Sequence, residues 1–480
     1  MRGWDRAEAP SDRHDPHRTA RIDPDRTELL DAIPAEDDRT ALMGALPNDT
    51  DRTALIDAVP VEAGPTKRIP PHDDHVDDRA MDDYPDDDDW PMDAPVADDA
   101  PPPPRSPAPF ASRHWWQRSL LVLLAVALQL ALYTNSGFSW HFFMDAGSLL
   151  LGQHPPGMTA PGGLHLYANY PQFQFGPLAL LATVALRPFA DGGWLIITWL
   201  MTLCGLFVLY LLEYIVRTIR PLVDEDYRAT IITVLVGGGS FVFSWELLAV
   251  HFGHLDDVLA LLLITMATLA VVYDAPIIAG VCIGLATDAK PWALAFLALL
   301  LLFSGRMRWR AVLVAGCVIV VAWLPFVLAD PHTLSAAGTF GIPNVRQSAL
   351  RALGVNSAMT PSWDRVAQFV VGGGLAAVAI YRRRWEAVIG LAIGARLVLD
   401  PSVAAYYTAG LALGLLLWDL TGYRRPMPIL SVVCFFGITI TNFVTKNAPL
   451  LGELRLWTVV IVCGVMLFAP RPAPALTGTA

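Results

Sequence analysis

The sequence predicts an all-α polytopic membrane protein, a bundle of about twelve transmembrane helices behind a disordered acidic N-terminal tail. Three observations lead there. From about Ser119 onward the chain is a succession of hydrophobic runs joined by short loops, so it is 54% hydrophobic with a mean hydropathy of +0.43. The net charge is nevertheless -11, because charge is segregated along the chain. Residues 1–112 hold 28 of the 45 acids and 12 of the 34 bases, which leaves 17 acids and 22 bases to the rest. Finally, the basic residues beyond Ser119 cluster in alternate loops, the pattern that orients helices in a bilayer. The divisions are therefore a tail over 1–112, a membrane domain over 113–470 and a short second tail over 471–480.

The N-terminal tail is rich in Asp, Pro, Ala and Arg and ends in Pro101-Pro102-Pro103-Pro104. Such a segment cannot bury enough apolar surface to offset its ordering entropy, so disorder is expected. It carries an internal repeat: Asp25–Pro34 recurs as Asp38–Pro47 and Asp51–Pro60, a period of 13 residues. Each copy is too short for a solenoid unit. One reading is a duplicated linker. The other is a docking motif, in which Thr27, Thr40 and Thr53, each after an Arg, are phosphorylated and read by a phosphothreonine-binding partner. The acidic run Asp82–Asp89 is a solvating block that keeps the tail off anionic lipid. No basic patch points to nucleic acid.

The first span is expected at about Ser119–Leu132, with Arg113 and Arg118 before it and Trp115 and Trp116 as interfacial anchors. Eleven more follow, at about Trp194–Val216, Ala229–Ala249, Val258–Val272, Pro276–Ala286, Trp292–Phe303, Ala311–Leu328, Val366–Ile380, Ala387–Leu399, Ala404–Leu417, Met427–Thr441 and Leu456–Phe468. Arg306-Met307-Arg308, Arg382-Arg383-Arg384 and Arg424-Arg425 then fall on the cytoplasmic side, as do both termini. The parity holds if Pro177–Phe189, short and containing Arg187, is an interfacial helix beside a second one at about His141–Leu151. The first hydrophobic run begins too late for a signal peptide. All five cysteines sit in hydrophobic runs without metal-ligand spacing, so neither disulfides nor a zinc site is expected.

This layout gathers polar residues on the extracytoplasmic side. From Ser119 to Leu186 there is no Lys or Arg, and Asp145 is the only acid before Asp191. Partial burial at headgroup level would make Asp145 a better general base; otherwise it is a helix cap or an ion-pair partner of Arg187. His254, Asp256 and Asp257 open a span together with His251. They could hold a divalent cation or a sugar ring, or act as helix caps. Lys290, beside Pro291, either snorkels outward or meets an anion. With Arg346, Arg351 and Arg396 it makes a set of outer cations suited to phosphate.

At these residues the chain resembles the polytopic GT-C glycosyltransferases that use polyprenyl-phosphate sugars, most of all family 87 and related mannosyltransferases. The resemblance runs from about Arg118 onward. It is carried by Asp145 after the first span, Tyr170-Pro171 and Gly176-Pro177 leading into an interfacial helix, and Gly253-His254-Leu255-Asp256. Ala279-Gly280…Gly284-Leu285-Ala286…Lys290-Pro291-Trp292 and Asn344…Arg346-Gln347-Ser348…Arg351 complete it. It implies a GT-C-like bundle and an inverting transfer from a donor such as polyprenyl-phosphate mannose to a glycolipid or polysaccharide acceptor of the cell envelope. Asp145 would be catalytic, and Tyr170, His254, Asp256, Asp257, Lys290, Arg346, Gln347, Arg351 and Arg396 would bind substrate. No metal ligand is assigned, and a divalent cation is the one cofactor considered. The chain departs from the family in having no second acid beside Asp145 and in its long repeat-bearing tail. The rival function is a transporter or flippase for a lipid-linked or anionic substrate, which would place its charges nearer the bilayer midplane.

Overall fold

The computed structural model describes residues 115–470, apart from 134–136, 138, 190–193, 220–230, 337, 403–404 and 423–426. The tail with its repeats, Thr27, Thr40, Thr53 and Asp82–Asp89, and the segment 471–480, lie outside the described residues. Among the described residues all regular structure is helical, apart from one isolated bridge between Pro343 and Met359.

Helix α1 spans Trp115–Leu132, and α2, Trp140–Leu150, follows the first short loop. Helix α3, Pro177–Leu186, begins with proline at its first position, where the missing N–H costs no helical bond. Helices α4 (Trp194–Ile219), α5 (Thr233–Phe252) and α6 (Leu255–Val272) come next. Helix α5 is α-helical over Gly238–Glu246 between two π-helical turns, Thr233–Gly237 and Leu247–Phe252. Helix α7, Pro276–Ala289, leads into a 3-10 helix, Pro291–Leu302, and then α8, Gly305–Ala329. The last five are α9 (Asp364–Tyr381), α10 (Val388–Val398), α11 (Thr408–Thr421), α12 (Ile429–Val444) and α13 (Ala448–Phe468).

Six of these helices, α1, α4, α5, α6, α8 and α13, are long and apolar enough to cross a membrane. The other expected spans are occupied by shorter or less apolar helices. The run expected at Trp292–Phe303 is a 3-10 helix, whose rise of about 2 Å per residue lets a short segment reach further than an α-turn would. The protein is thus a multi-pass helical membrane protein. Its outer surface agrees: α8 leaves Val321 and Leu328 70% and 74% exposed, apolar area that a bilayer rather than water would cover.

Packing inside the bundle uses small residues. A Cβ on Gly280 would lie 2.4 Å from the carbonyl oxygen of Ala311, and one on Gly284 2.7 Å from Val318. The Gly280…Gly284 spacing therefore lets α7 lie directly on α8, as small residues four apart do between membrane helices. That contact fixes the end of α7, and with it Lys290.

Candidate functional site

Five segments meet at one end of the bundle. Helix α5 stops at Gly253, whose φ of 69° is the left-handed conformation open to a residue without Cβ. The chain reverses there, and His254 and Leu255 start α6. Asp256 and Asp257 occupy the first turn, where unpaired amides and the helix dipole favour acids. Asp256 Oδ1 accepts the Asp257 N–H at 2.8 Å. Helix α7 ends just before Lys290, which is extended (φ -144°, ψ 115°) because a residue preceding proline is driven out of the helical region. Arg396 occupies the last turn of α10, the favourable end for a cation. The chain returns from there through Asp400 to Tyr406 and Tyr407, ahead of α11.

The side chains form a compact ionic cluster. Lys290 Nζ is ion-paired to Asp256 Oδ2 and lies 3.7 Å from Asp257 Oδ2. Arg396 stands 3.8 Å from Asp257 Oδ1, with its guanidinium 4.8 Å from the Trp292 ring centre and 4.0 Å from that of Tyr407. The indole N–H of Trp292 donates to Asp257 Oδ1 at 2.9 Å. His254 stacks on Tyr406 at 3.7 Å, and its Nε2 is 2.9 Å from Ser139 Oγ, in the turn before α2. Its Nδ1 faces Asp256 Oδ1 at 3.4 Å and Asp257 Oδ2 at 3.6 Å. All five charged or titratable members are buried. Two carboxylates face two cations, so the charges of the aspartates, lysine and arginine balance.

A narrow recess beside this cluster is lined by Asp257, Arg396, Trp292, Tyr406 and Tyr407, with Leu261 and Ile393 on the apolar side. A carboxylate, a guanidinium, three aromatic faces and aliphatic groups in one place suit an amphiphilic ligand with hydroxyls and an anionic group. His254, Asp256 and Asp257 also offer three ligand atoms within 4.8 Å of one another, and His254 Nδ1 and Asp257 Oδ2 make no hydrogen bond. That donor set fits a divalent cation. The Lys290 ammonium, however, already supplies at these carboxylates the positive charge that a metal would bring.

The remaining sequence-derived residues lie elsewhere. Asp145 is half-buried on α2 and forms no hydrogen bond or ion pair among the described residues. Partial burial raises its carboxyl above the ordinary value, while the nearby His141 pulls the other way. On the same helix it is Phe143 that faces His254, at 6.4 Å edge-on. Asp145 sits two residues on, about 200° round the helix, and is not among the residues that line the recess. Tyr170 is buried and donates to the carbonyl of Ala160 at 2.8 Å, closing the loop between α2 and α3. Arg346 is exposed and Gln347 half-buried. Arg351 donates from Nε to the Asn344 carbonyl at 3.2 Å, and its backbone N–H caps on Ser348. Thus Lys290 and Arg396 join His254, Asp256 and Asp257, Arg351 and Tyr170 hold loops, and Arg346 and Gln347 lie outside the cluster.

The sequence reading passed over Ser139 and Trp292 as site residues, and over the Tyr406-Tyr407 pair as a ring platform. An aromatic pair just before a hydrophobic run was the available signal. It also passed over Glu246, an acid buried inside α5. Comparison with protein-family models, with curated proteins and with solved structures finds no match.

Proposed function

We propose that the chain is a membrane glycosyltransferase that moves a sugar, mannose in the first instance, from a polyprenyl-phosphate donor to a cell-envelope glycolipid or glycan on the extracytoplasmic face. The observation that supports this reading is the recess at the bundle end, where Arg396 and Asp257 lie beside three aromatic rings and an aliphatic wall. Arg396 meets the phosphate, the aromatic faces stack on the sugar, and Leu261 and Ile393 begin the path of the lipid chain. Charge developing on the leaving phosphate is stabilised by Arg396 and by Lys290, both held in place by aspartates. His254 and Asp256 orient the sugar. Asp145 is the base that takes the acceptor proton: it is half-buried, without an ion pair among the described residues, on the helix that follows Ser139 and sets Phe143 edge-on to His254.

The test is transfer of radiolabelled mannose from polyprenyl-phosphate mannose to membrane acceptors. Asp145→Asn is expected to lower the rate by about 10²–10⁴-fold with an unchanged unfolding temperature. In the wild type, the rate should fall as pH drops through the raised Asp145 value, so the acid limb sits above the usual carboxylate range near about 4. Full activity in the variant would remove Asp145 from the mechanism, and an acid limb at the ordinary carboxylate value would do the same. The second reading, a transporter or flippase, draws on Glu246, an acid buried within a membrane span. Wild-type protein that transfers no sugar from any polyprenyl-phosphate donor, yet moves such a lipid across vesicles, would put that reading first.

A further inference from the structure

A second polar group lies inside the bundle, apart from the ionic cluster, and it involves three helices. Glu246 of α5 is 1% exposed, and its only hydrogen-bond partner among the described residues is Thr202 of α4, with Oγ1 2.7 Å from Glu246 Oε2. The same hydroxyl lies 2.9 Å from Oε1 of Gln129, on α1, and Gln129 Nε2 donates to Thr198 Oγ1 at 2.7 Å. Thr198 in turn donates to the Leu195 carbonyl at 2.9 Å. Gln129 and Thr198 are fully buried and Thr202 is 1% exposed.

The depth of this chain follows from helix geometry. Near their other ends α1 and α4 are tied by the ion pair of Arg118 with Glu213, at 2.9 Å. Gln129 lies eleven residues beyond Arg118, and Thr202 eleven before Glu213, which is about 16 Å along each helix. In a hydrocarbon layer about 30 Å thick that is close to the middle.

Proton counting and depth together decide the state of the acid. A threonine hydroxyl has one proton, yet Thr202 faces two oxygens, one of the Gln129 amide and one of the Glu246 carboxyl. Both contacts are bonds only if one oxygen carries a proton of its own, and the carboxyl is the one that can. The chain then runs in one direction: Glu246 O–H to Thr202, Thr202 to Gln129, Gln129 to Thr198, Thr198 to the Leu195 carbonyl. Each hydroxyl, and one N–H of the Gln129 amide, then has an acceptor. Turning the Gln129 amide over reverses the chain and lets Thr202 donate to an ionised Glu246. That anion would have a single donor and no ion pair among the described residues, at a depth where an uncompensated charge is very costly.

We propose that Glu246 is a proton-binding site in the membrane interior, held as a neutral carboxylic acid by Thr202, Gln129 and Thr198. The Gln129 amide is its switch, since its two orientations match the protonated and the ionised acid. The inference does not rest on the transferase reading, because it uses none of the residues assigned to sugar transfer.

Infrared spectroscopy of the purified full-length protein at neutral pH tests it. The wild-type minus Glu246→Gln difference should contain a carboxylic C=O band above the amide I region that moves on transfer to D2O. A carboxylate band in its place overturns the proposal. Should Glu246→Gln fail to fold, Thr202→Val serves instead. It removes the hydroxyl and keeps the acid, so the C=O band should move to the higher frequency of an acid that has lost its partner. An unmoved spectrum in the folded Thr202→Val variant overturns the proposal equally.

Discussion

Two of the places where the protein buries acids neutralise them in opposite ways. At the bundle end Asp256 and Asp257 sit on a helix N-terminus, within reach of Lys290 and Arg396. In the interior Glu246 meets only a hydroxyl. The difference follows from position. A cation can be brought to a helix end, because the chain there leaves the helical path, as Lys290 does before Pro291. In mid-helix every neighbour is another helix flank, and a second charge would need its own desolvation. Ionic pairing is therefore available at the ends, and an uncharged hydrogen-bonded acid is the cheaper arrangement in the middle.

The sharpest way to break the comparison is to remove a cation. Lys290→Met leaves Asp256 buried beside Asp257 with its main partner gone, and should cost about 3–5 kcal/mol. Thermal unfolding in detergent reads the loss. The double variant Lys290→Met with Asp256→Leu should recover most of it, since replacing both members of a buried pair with apolar groups is often close to neutral. If the double variant is as unstable as the single, the pair is not the unit that matters.

How far all this could be read from the chain depends on the range of the interaction. The spans were legible because each is a local hydrophobic run, and α4, α6 and α8 fall where Trp194–Val216, Val258–Val272 and Ala311–Leu328 were expected. His254, Asp256 and Asp257 were legible as a group because they lie within four residues. Their neutralisation by Lys290 was not, because the two partners are 34 residues apart and nothing local records the contact of α6 with α7. Lys290 and Arg396 were singled out as cations awaiting an anion. Folding supplies that anion from within, as Asp256 and Asp257. The π-helical turns of α5 were also illegible, since no residue pattern marks them. Glu246 was in plain view as an acid in a hydrophobic run. Its meaning lay in Thr202 and Gln129, on two other helices.

A smaller effect is expected in the interior. Thr202→Val removes the one partner of Glu246 and one partner of Gln129, so it should cost about 1–3 kcal/mol, the range for buried polar groups left unsatisfied. Unfolding measurements on this variant beside Lys290→Met compare the two regions directly. A loss as large as that of the lysine variant would mean that Glu246 carries a charge, and the contrast between the regions would vanish.

The smallest effect is expected where charge is kept and shape is changed. Arg396→Lys retains a cation near Asp257 but loses the planar guanidinium that lies over Trp292 and Tyr407. A desolvated cation–π contact contributes about 2 kcal/mol or more, and an ammonium keeps most of it, so the stability change should be about 1 kcal/mol. If Arg396 also meets the donor phosphate, the same substitution should raise the KM for the lipid donor more than it lowers kcat, because a point charge replaces a two-pronged donor. A variant with an unchanged KM and the same modest loss of stability would assign Arg396 to the ionic cluster alone. Phosphate recognition would then fall to other groups at the recess, and the cluster would be a structural counterpart of the Glu246 chain, with its charges spent on each other.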